Sequence, residues 1–467
     1  MAESKIVDVA QLVDEQKITG STILFLVIAT LVLIADGYDL FNTAFVGPEL
    51  VKEWHVSRAA LAPMLTASVL GLLIGAPLLG ALGDRYGRKR AILWGGLVFA
   101  GFSLASMAAT SLGQLIALRF LTGLGLGGVI PNIIALTAEY APKRLRAAFL
   151  VITNFGVPLG GALIGPVAAG LVPHYGWPVL FLVGGAGPLI ILIVAYFALP
   201  ESIKYLVARS DRTAEVRRVA QSMRPDLPFA ADTRFVIAAD PVRTSASPTK
   251  LFAGGLAAIT PLFWIGQMSN QLATFFVASW LPTLLQSIGA STAQAAINTS
   301  MFPVGGLIGG LVLTFLLGRL GVLAILALYV LGIPLVIALG TPDLSALWSF
   351  LIAAGCGFCI VGINFGNNAV MGLIYPTAVR SNGAGWAMAV GRFGSMGGPL
   401  IGGLLLGMRF PYQQLFYAPA ISLAVGACAC ALMLRLCYRR FQGLHLDDAP
   451  AEGRHAPTVK PMRALSS

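Results

Sequence analysis

Charged residues are scarce in this sequence. They make up 11% of its 467 residues, against about a quarter in a soluble protein. Hydrophobic residues reach 57%, which is more apolar surface than a soluble core of this length can hide but suits a lipid bilayer. The composition therefore excludes an ordinary soluble protein and predicts a polytopic membrane protein. The 54 glycines also favour a membrane protein, because small residues let membrane helices approach closely.

Histidine and cysteine are also scarce, with four and five residues. No histidine falls within an apolar run, since His55 and His174 lie in predicted external loops. Cys356 and Cys359 have the spacing of a redox or zinc motif, but no histidine or acid is nearby, so we interpret the cysteines as packing residues. A membrane enzyme would need a nucleophile, a metal cluster or a cofactor loop. We therefore expect no enzymatic activity, no metal and no cofactor.

A cleavable signal peptide is not apparent either, because the first 22 residues are mostly polar and the first apolar run is too long for a signal core. The net charge of +11 is carried mainly in short loops between apolar runs, which argues against a nucleic-acid partner. Most lysines and arginines fall on the side that holds the N-terminus. By the positive-inside rule, both termini are predicted to be cytoplasmic.

Twelve apolar runs are long enough to cross a bilayer. They span Ile23–Phe45, Ala60–Leu82, Ala91–Thr110, Leu112–Ala138, Ala147–Val172, Trp177–Ala198, Leu256–Ser279, Ala293–Leu317, Leu323–Gly340, Leu347–Met371, Gly383–Gly407 and Leu415–Arg435. The predicted fold class is an all-α polytopic membrane protein with twelve transmembrane helices in two six-helix pseudo-repeats. The predicted domains are a cytoplasmic segment, a first bundle, a cytoplasmic linker, a second bundle and a cytoplasmic tail, at 1–22, 23–198, 199–255, 256–437 and 438–467.

Weak internal similarity supports the division into halves. Residues 83–91 after the second span correspond to 317–324 after the eighth, and residues 138–147 correspond to 374–383. Two related six-helix halves with a central site are a recurring design of secondary transporters. A channel would instead need a continuous polar pore.

The loop at 80–90 reads GALGDRYGRKR and is the most specific motif. Its glycines permit a tight turn between helices. Asp84 can lie near a helix N-terminus, while Arg85 and Arg88 can pair with acids or lipid phosphates. A generic basic loop would not require this spacing, so we favour a gating latch between helices.

Two acids lie well inside the first span. Asp36 and Asp39 are three residues apart and so share one helical face. A carboxylate removed from water can exchange a proton near neutral pH, which makes the pair a candidate for proton coupling. The alternative is a structural pair bonded to Arg119 in the fourth span. At 1.5 Å per residue all three lie about 9–14 Å below the outer boundary and can meet. Arg119 itself either has a function or extends toward the outer surface.

These features together resemble the aromatic acid:proton symporter family of the major facilitator superfamily. The motifs that carry the resemblance are DGYD at 36–39, the loop at 80–90, Arg119 with its spaced glycines, AEYAP at 138–142, LPESIKYL at 199–206, Tyr375-Pro376-Thr377 with Arg380, and Gly385-Trp386 leading to Gly391-Arg392. The resemblance covers nearly the whole chain except the linker and the tail. One departure is Gly318-Arg319 after the eighth span, where the family usually repeats Asp-Arg. A second latch there must be weaker or differently paired.

The resemblance implies import of a benzoate-type carboxylate with a proton, by a monomer in a bacterial inner membrane. A carboxylate needs a cation, and Arg119 and Arg392 are the two candidates within spans. Polar faces of spans seven and ten are candidates for ring hydroxyls, and helix–helix bonding is their alternative role. The full set of substrate candidates is Arg119, Arg392, Tyr38, Asn364, Asn367, Asn368, Gln267 and Gln271. Gating candidates beyond the loop at 80–90 are Glu139, Arg144 and Arg380. A proton-coupled exporter of drugs or organic anions is the rival function, supported by the Gly165-Pro166 segment.

Overall fold

The structure is a computed structural model that describes residues 6–209, 212–227, 229–230, 233–237, 248–252, 256–287, 289–341, 344–375 and 379–441. Within this part of the chain it is almost entirely helical. Pro376 and Thr377, and parts of the predicted linker and tail, lie outside the described residues.

The first half begins with a short strand and helix and continues with six long helical segments. In chain order the elements are β1 (Ile6–Asp8), α1 (Val9–Asp14), α2 (Gly20–Glu53), α3 (Ala62–Tyr86), α4 (Arg88–Ala105), α5 (Leu112–Tyr140), α6 (Arg146–Asn154), α7 (Gly156–Tyr175) and α8 (Pro178–Ala198). The segment after α8 contributes α9 (Ile203–Val207), α10 (Thr213–Met223) and β2 (Arg234–Val236).

The second half holds six more long helices and one short turn. These are α11 (Leu256–Ser287), α12 (Thr292–Leu320), α13 (Leu323–Ala338), α14 (Ala346–Ile374), α15 (Arg380–Gly407), α16 (Tyr412–Leu415) and α17 (Tyr417–Phe441). Serine side chains cap the N-termini of two of these helices. Ser291 before α12 and Ser345 before α14 each accept a hydrogen bond from the backbone N–H three residues on, as N-terminal caps do.

Nine of the described helices are long and apolar enough to cross a membrane. A further helix, α13, is apolar but shorter. The remaining two long helices, α11 and α15, reach membrane-spanning length but carry more polar side chains. The long helices thus occupy the twelve predicted positions, which is consistent with the predicted count.

The fifth predicted span is broken between α6 and α7 at Phe155. The cause is Pro158, which has no N–H to donate to the carbonyl of Asn154. The Asn154 side chain turns back instead and donates to the carbonyl of Leu150 at 2.7 Å. Sequence reasoning treated this span as one continuous helix.

The N-terminal segment is tied to the linker. Strand β1 pairs in parallel with β2, and α1 packs with α10 in one apolar cluster. Asp14 accepts a hydrogen bond from the Lys143 backbone at 3.0 Å. Arg224 hydrogen-bonds Asp226 at 2.9 Å and lowers the pKa of that carboxyl to about 2. We call the end of the bundle at which β1, α1, α10 and β2 lie the linker end, and the opposite end the far end.

The two halves are joined by direct contacts in the far half of the bundle. Thr292 of α12 donates to Glu49 of α2 at 3.2 Å, and Arg58 donates to the Tyr412 hydroxyl. Helices α7 and α12 cross where the Gly165 N–H donates to the Ser300 hydroxyl at 2.8 Å. A Cβ on Gly165 would lie 2.0 Å from that hydroxyl, so the crossing requires glycine. These contacts hold the two halves together at the far end.

Candidate functional site

Asp36 lies on α2 with its carboxylate 1% exposed, and neither oxygen has a hydrogen-bond partner among the described residues. Two charged groups act on it electrostatically, Arg392 of α15 and Asp39 one helical turn along α2. Arg392 is half-buried. A buried carboxylate without donors is costly to keep charged unless a cation compensates it. Asp36 and Arg392 therefore form an electrostatic link between the two halves of the molecule.

Asp39 has a different environment within the first half. Its Oδ1 accepts hydrogen bonds from Arg119 Nη1 at 2.9 Å and from Ser103 Oγ at 3.1 Å. Both charged side chains are fully buried. The predicted meeting of Arg119 with the acid pair occurs, and Asp39 is the partner.

Arg119 is enclosed on its remaining sides. Its Nη2 donates to the hydroxyls of Ser106 and Thr122 at 2.9 and 3.0 Å. Its guanidinium carbon lies 4.5 Å from the centroid of the Phe181 ring, within the range of a cation–π contact. With these partners and no exposed surface, Arg119 offers little access to a ligand in this state.

Amide side chains connect α11, α14 and α15 near Arg392. Asn364 donates to Gln271 Oε1 at 2.7 Å, and Gln271 donates to Ser395 Oγ at 3.3 Å. Ser395 follows Arg392 by three residues on α15, so the two share a face. Asn364 and Gln271 are only half-buried, which leaves part of the amide cluster accessible beside Arg392.

The other predicted substrate residues are spread more widely. Asn367 donates to Gln267 Oε1 at 2.9 Å, and both are buried. Asn368 is exposed. Tyr38 points into the first half, where its ring would lie 3.3 Å from a Cβ added at Gly184 of α8. Hydrogen bonds thus link Gln271 and Asn364 to α15, the helix that carries Arg392, whereas Tyr38 lies beside α8 of the first half.

The loop at 80–90 forms two ion pairs through Arg88. Arg88 Nε lies 2.9 Å from Glu139 Oε1 and its Nη2 lies 3.4 Å from Asp84 Oδ1. Glu139 also accepts from the Ser202 hydroxyl. Gly87 turns the chain with φ of 108°, a value that favours glycine. These contacts therefore connect α3, α4, α5 and the start of the linker within the first half.

The remaining gating candidates make backbone contacts. Arg85 offers its carbonyl to Arg209 at 3.1 Å. Arg144 donates to the Gln16 carbonyl at 3.3 Å, and Arg380 donates to the Tyr375 carbonyl at 3.2 Å. Arg319, where the second latch would be, is exposed and has no acidic partner among the described residues. The two halves thus differ at the linker end.

Sequence reasoning missed the hydroxyl groups around Arg119 and the role of Ser395. Ser103 and Ser106 are three residues apart at the end of the third apolar run, and this spacing was an available signal. It also missed Asn270, a fully buried amide whose two polar atoms have no partner among the described residues.

Comparison with known proteins gives a consistent result. The family model described as Major Facilitator Superfamily matches residues 27–367 and 263–466. The gallate transporter of Pseudomonas putida is 34% identical over 88% of this chain and 91% of its own length. The 4-hydroxybenzoate transporter of Pseudomonas aeruginosa is 33% identical over 91% and 95%. The benzoate transport protein of Acinetobacter baylyi is 30% identical over 91% and 92%.

Solved structures support the same fold. A D-xylose–proton symporter superposes with a TM-score of 0.65 at 18% identity, covering 89% of this chain and 98% of that one. The nucleoside transporter NupG gives a TM-score of 0.65 at 14% identity over 88% and 99%.

Proposed function

Because this chain belongs to the major facilitator superfamily and is a transporter rather than an enzyme, we propose that it imports an aromatic carboxylate together with a proton by alternating access. The observation that carries the proposal is the buried Asp36 carboxylate, which has no hydrogen-bond partner among the described residues and lies within electrostatic range of Arg392 in the other half. The gallate, 4-hydroxybenzoate and benzoate named in its relatives are all ring-bearing carboxylates. They present the same charge to a protein cation.

Arg392 is the cation better placed for the substrate. Arg119 is fully buried and already paired with Asp39, whereas Arg392 is half-buried and has no comparable ion pair among the described residues. A guanidinium binds a carboxylate through two parallel hydrogen bonds, which fixes the orientation of the ring. The contacts of Arg119 therefore support its structural role as the partner of Asp39.

Coupling follows from competition for Arg392. When Asp36 is charged, it attracts the guanidinium and opposes the approach of a second carboxylate. A proton on Asp36 removes that charge, so Arg392 becomes available to the substrate. Binding of the proton then favours binding of the substrate, and the reverse also holds. The carrier changes the side to which its site opens when both are bound, so both are carried across together.

The amide cluster supplies recognition of the ring. Gln271 and Asn364 offer hydrogen-bonding groups beside Arg392, and a ring hydroxyl needs such a partner once water is excluded. Ring substituents would therefore be distinguished on this side of the site. The buried hydrogen bond between Asn367 and Gln267 holds α14 against α11 and so stabilises this side of the site.

The orientation follows from the basic loops. The linker end is cytoplasmic by the positive-inside rule, and the protein lies in a bacterial inner membrane with both termini inside. The far end is then periplasmic. The contacts that join the two halves there support a carrier closed to the outside. The chain functions as a monomer, with protons and the bilayer as its other partners.

The decisive experiment is uptake of labelled 4-hydroxybenzoate, gallate and benzoate into cells with and without a protonophore. We expect uphill accumulation at acidic external pH that collapses when the protonophore is added. If no member of such a panel accumulates, the import reading fails. The exporter alternative predicts the opposite direction, since energised cells would then hold less of the compound than de-energised ones.

A further inference from the structure

A small cavity lies between the two halves on the far side of Asp36. It is enclosed by α2 and α3 of the first half and by α11 of the second half. Ten residues line it, among them Thr43, Ser68 and Ser279. Its free volume is about 10 Å³, which is the space of one water molecule.

The cavity is aligned with Asp36 along α2. Leu40 and Thr43 line it and follow Asp36 by four and seven residues, so all three share one face of the helix. At 1.5 Å per residue, the apolar edge of the lining at Leu40 lies about 6 Å from Asp36 along the helix axis, and Thr43, which carries the hydroxyl, lies about 10 Å away. Four hydrogen bonds of about 2.8 Å, through three further waters, span the longer distance.

One polar group of the cavity is buried and unpaired within the described part of the chain. Ser68 is 5% exposed and its hydroxyl has no hydrogen-bond partner among the described residues. Thr43 and Ser279 are 4% and 7% exposed and contribute two more side chains with hydroxyl groups to the lining. A buried water needs two to four polar partners, and three hydroxyls meet this requirement. Thr66, two residues before Ser68, contrasts with them because it donates to the Ala62 carbonyl at 2.8 Å.

We propose that this cavity binds a water molecule that passes the proton between the far end and Asp36. The inference rests on the proposed proton coupling. The water accepts a proton from solvent at the far end as hydronium and releases one toward the Asp36 carboxylate, so no other bond changes. The charged groups around Asp36 are Arg392 and Asp39, and Asp39 is already paired with Arg119. Asp36 is therefore the acceptor at the end of this path.

The test compares net proton-driven uptake with substrate counterflow in vesicles, because counterflow exchanges substrate without net proton movement. The variant combines Ser68→Ala, Thr43→Val and Ser279→Ala, and Thr66→Val serves as the matched control. We expect the triple variant to lose about a hundredfold in the maximal rate of uptake, the low end of what a positioned proton-transfer group contributes, with counterflow unchanged. The control keeps both rates.

Three outcomes overturn the inference. Equal loss of uptake and counterflow indicates a damaged gate, and unchanged uptake indicates another proton path. A crystal structure that resolves waters and shows none within hydrogen-bond distance of Ser68 Oγ also overturns it, whatever the transport result. Failure of the proposed function is separate, since in that case the wild-type protein itself accumulates no aromatic acid.

Discussion

Asp39 Oδ1 and Arg119 Nη1 lie 2.9 Å apart in a place where neither side chain reaches solvent. This pair belongs wholly to the first half, whereas Asp36 faces Arg392 of the second half. We therefore propose separate tasks for these two carboxylates, which lie one helical turn apart. In this proposal Asp39 stabilises the first half, and Asp36 responds to protons and substrate.

Asp39→Asn should destabilise the protein strongly, because it leaves the Arg119 charge buried without a counter-charge. Loss of one partner of a buried pair costs about 3–5 kcal/mol. Thermal unfolding in detergent measures the effect. The double variant Asp39→Leu with Arg119→Met should recover much of the loss, and a double variant no more stable than Asp39→Asn would contradict the pairing.

Asp36→Asn should abolish accumulation while leaving counterflow. The amide keeps the shape of the carboxylic acid but cannot take up or release a proton. Labelled uptake against a gradient and exchange in preloaded vesicles give the two rates. Asp226→Asn, an exposed acid of the linker segment, is the control. Normal accumulation in Asp36→Asn would place the proton carrier elsewhere.

Arg392→Lys should raise the KM for an aromatic acid by about ten- to a hundredfold, since a charged hydrogen bond contributes about 1.5–3 kcal/mol. Lysine keeps the charge but loses the planar fork that binds both carboxylate oxygens. Initial uptake rates over a range of substrate concentrations provide the KM. Arg319→Lys, on an exposed position at the linker end, should leave it unchanged. An unaltered KM in Arg392→Lys argues against a two-point carboxylate contact.

Asn364→Leu should change selectivity among ring substituents. A hydroxylated substrate loses a hydrogen-bond partner, which costs about 1–3 kcal/mol when the remaining group is buried, while benzoate has no hydroxyl to lose. The ratio of uptake efficiencies for 4-hydroxybenzoate and benzoate should therefore shift toward benzoate. Equal losses for both acids would assign Asn364 to packing between α11 and α14.

Much of this architecture could be predicted from residue pattern alone. Long apolar runs locate the helices because a bilayer demands them, and depth arithmetic placed Asp39 level with Arg119. The ends of the helices were predicted less accurately. Helix α2 continues to Glu53, beyond the predicted Phe45, since a helix does not stop where its hydrophobicity does.

The link between Asp36 and Arg392 was not predictable in the same way. Depth along a helix can be counted from sequence, but the direction in which a side chain points depends on how the two halves pack. The strand pairing of the N-terminal segment was missed for a similar reason. Strand β1 has three residues, too few to show the alternation of polar and apolar side chains that indicates a strand. Its partner β2 lies far away in the sequence, in the linker.

That strand pairing has a consequence for how the protein is made. Residues 6–8 pair with 234–236, so the partner strand leaves the ribosome after the whole first half and before any helix of the second. The first six long helices can thus be closed into a unit while synthesis continues, as domains that form in order of translation do. A tag fused to the N-terminus adds chain next to β1, whereas a tag at the C-terminus leaves this early closure untouched.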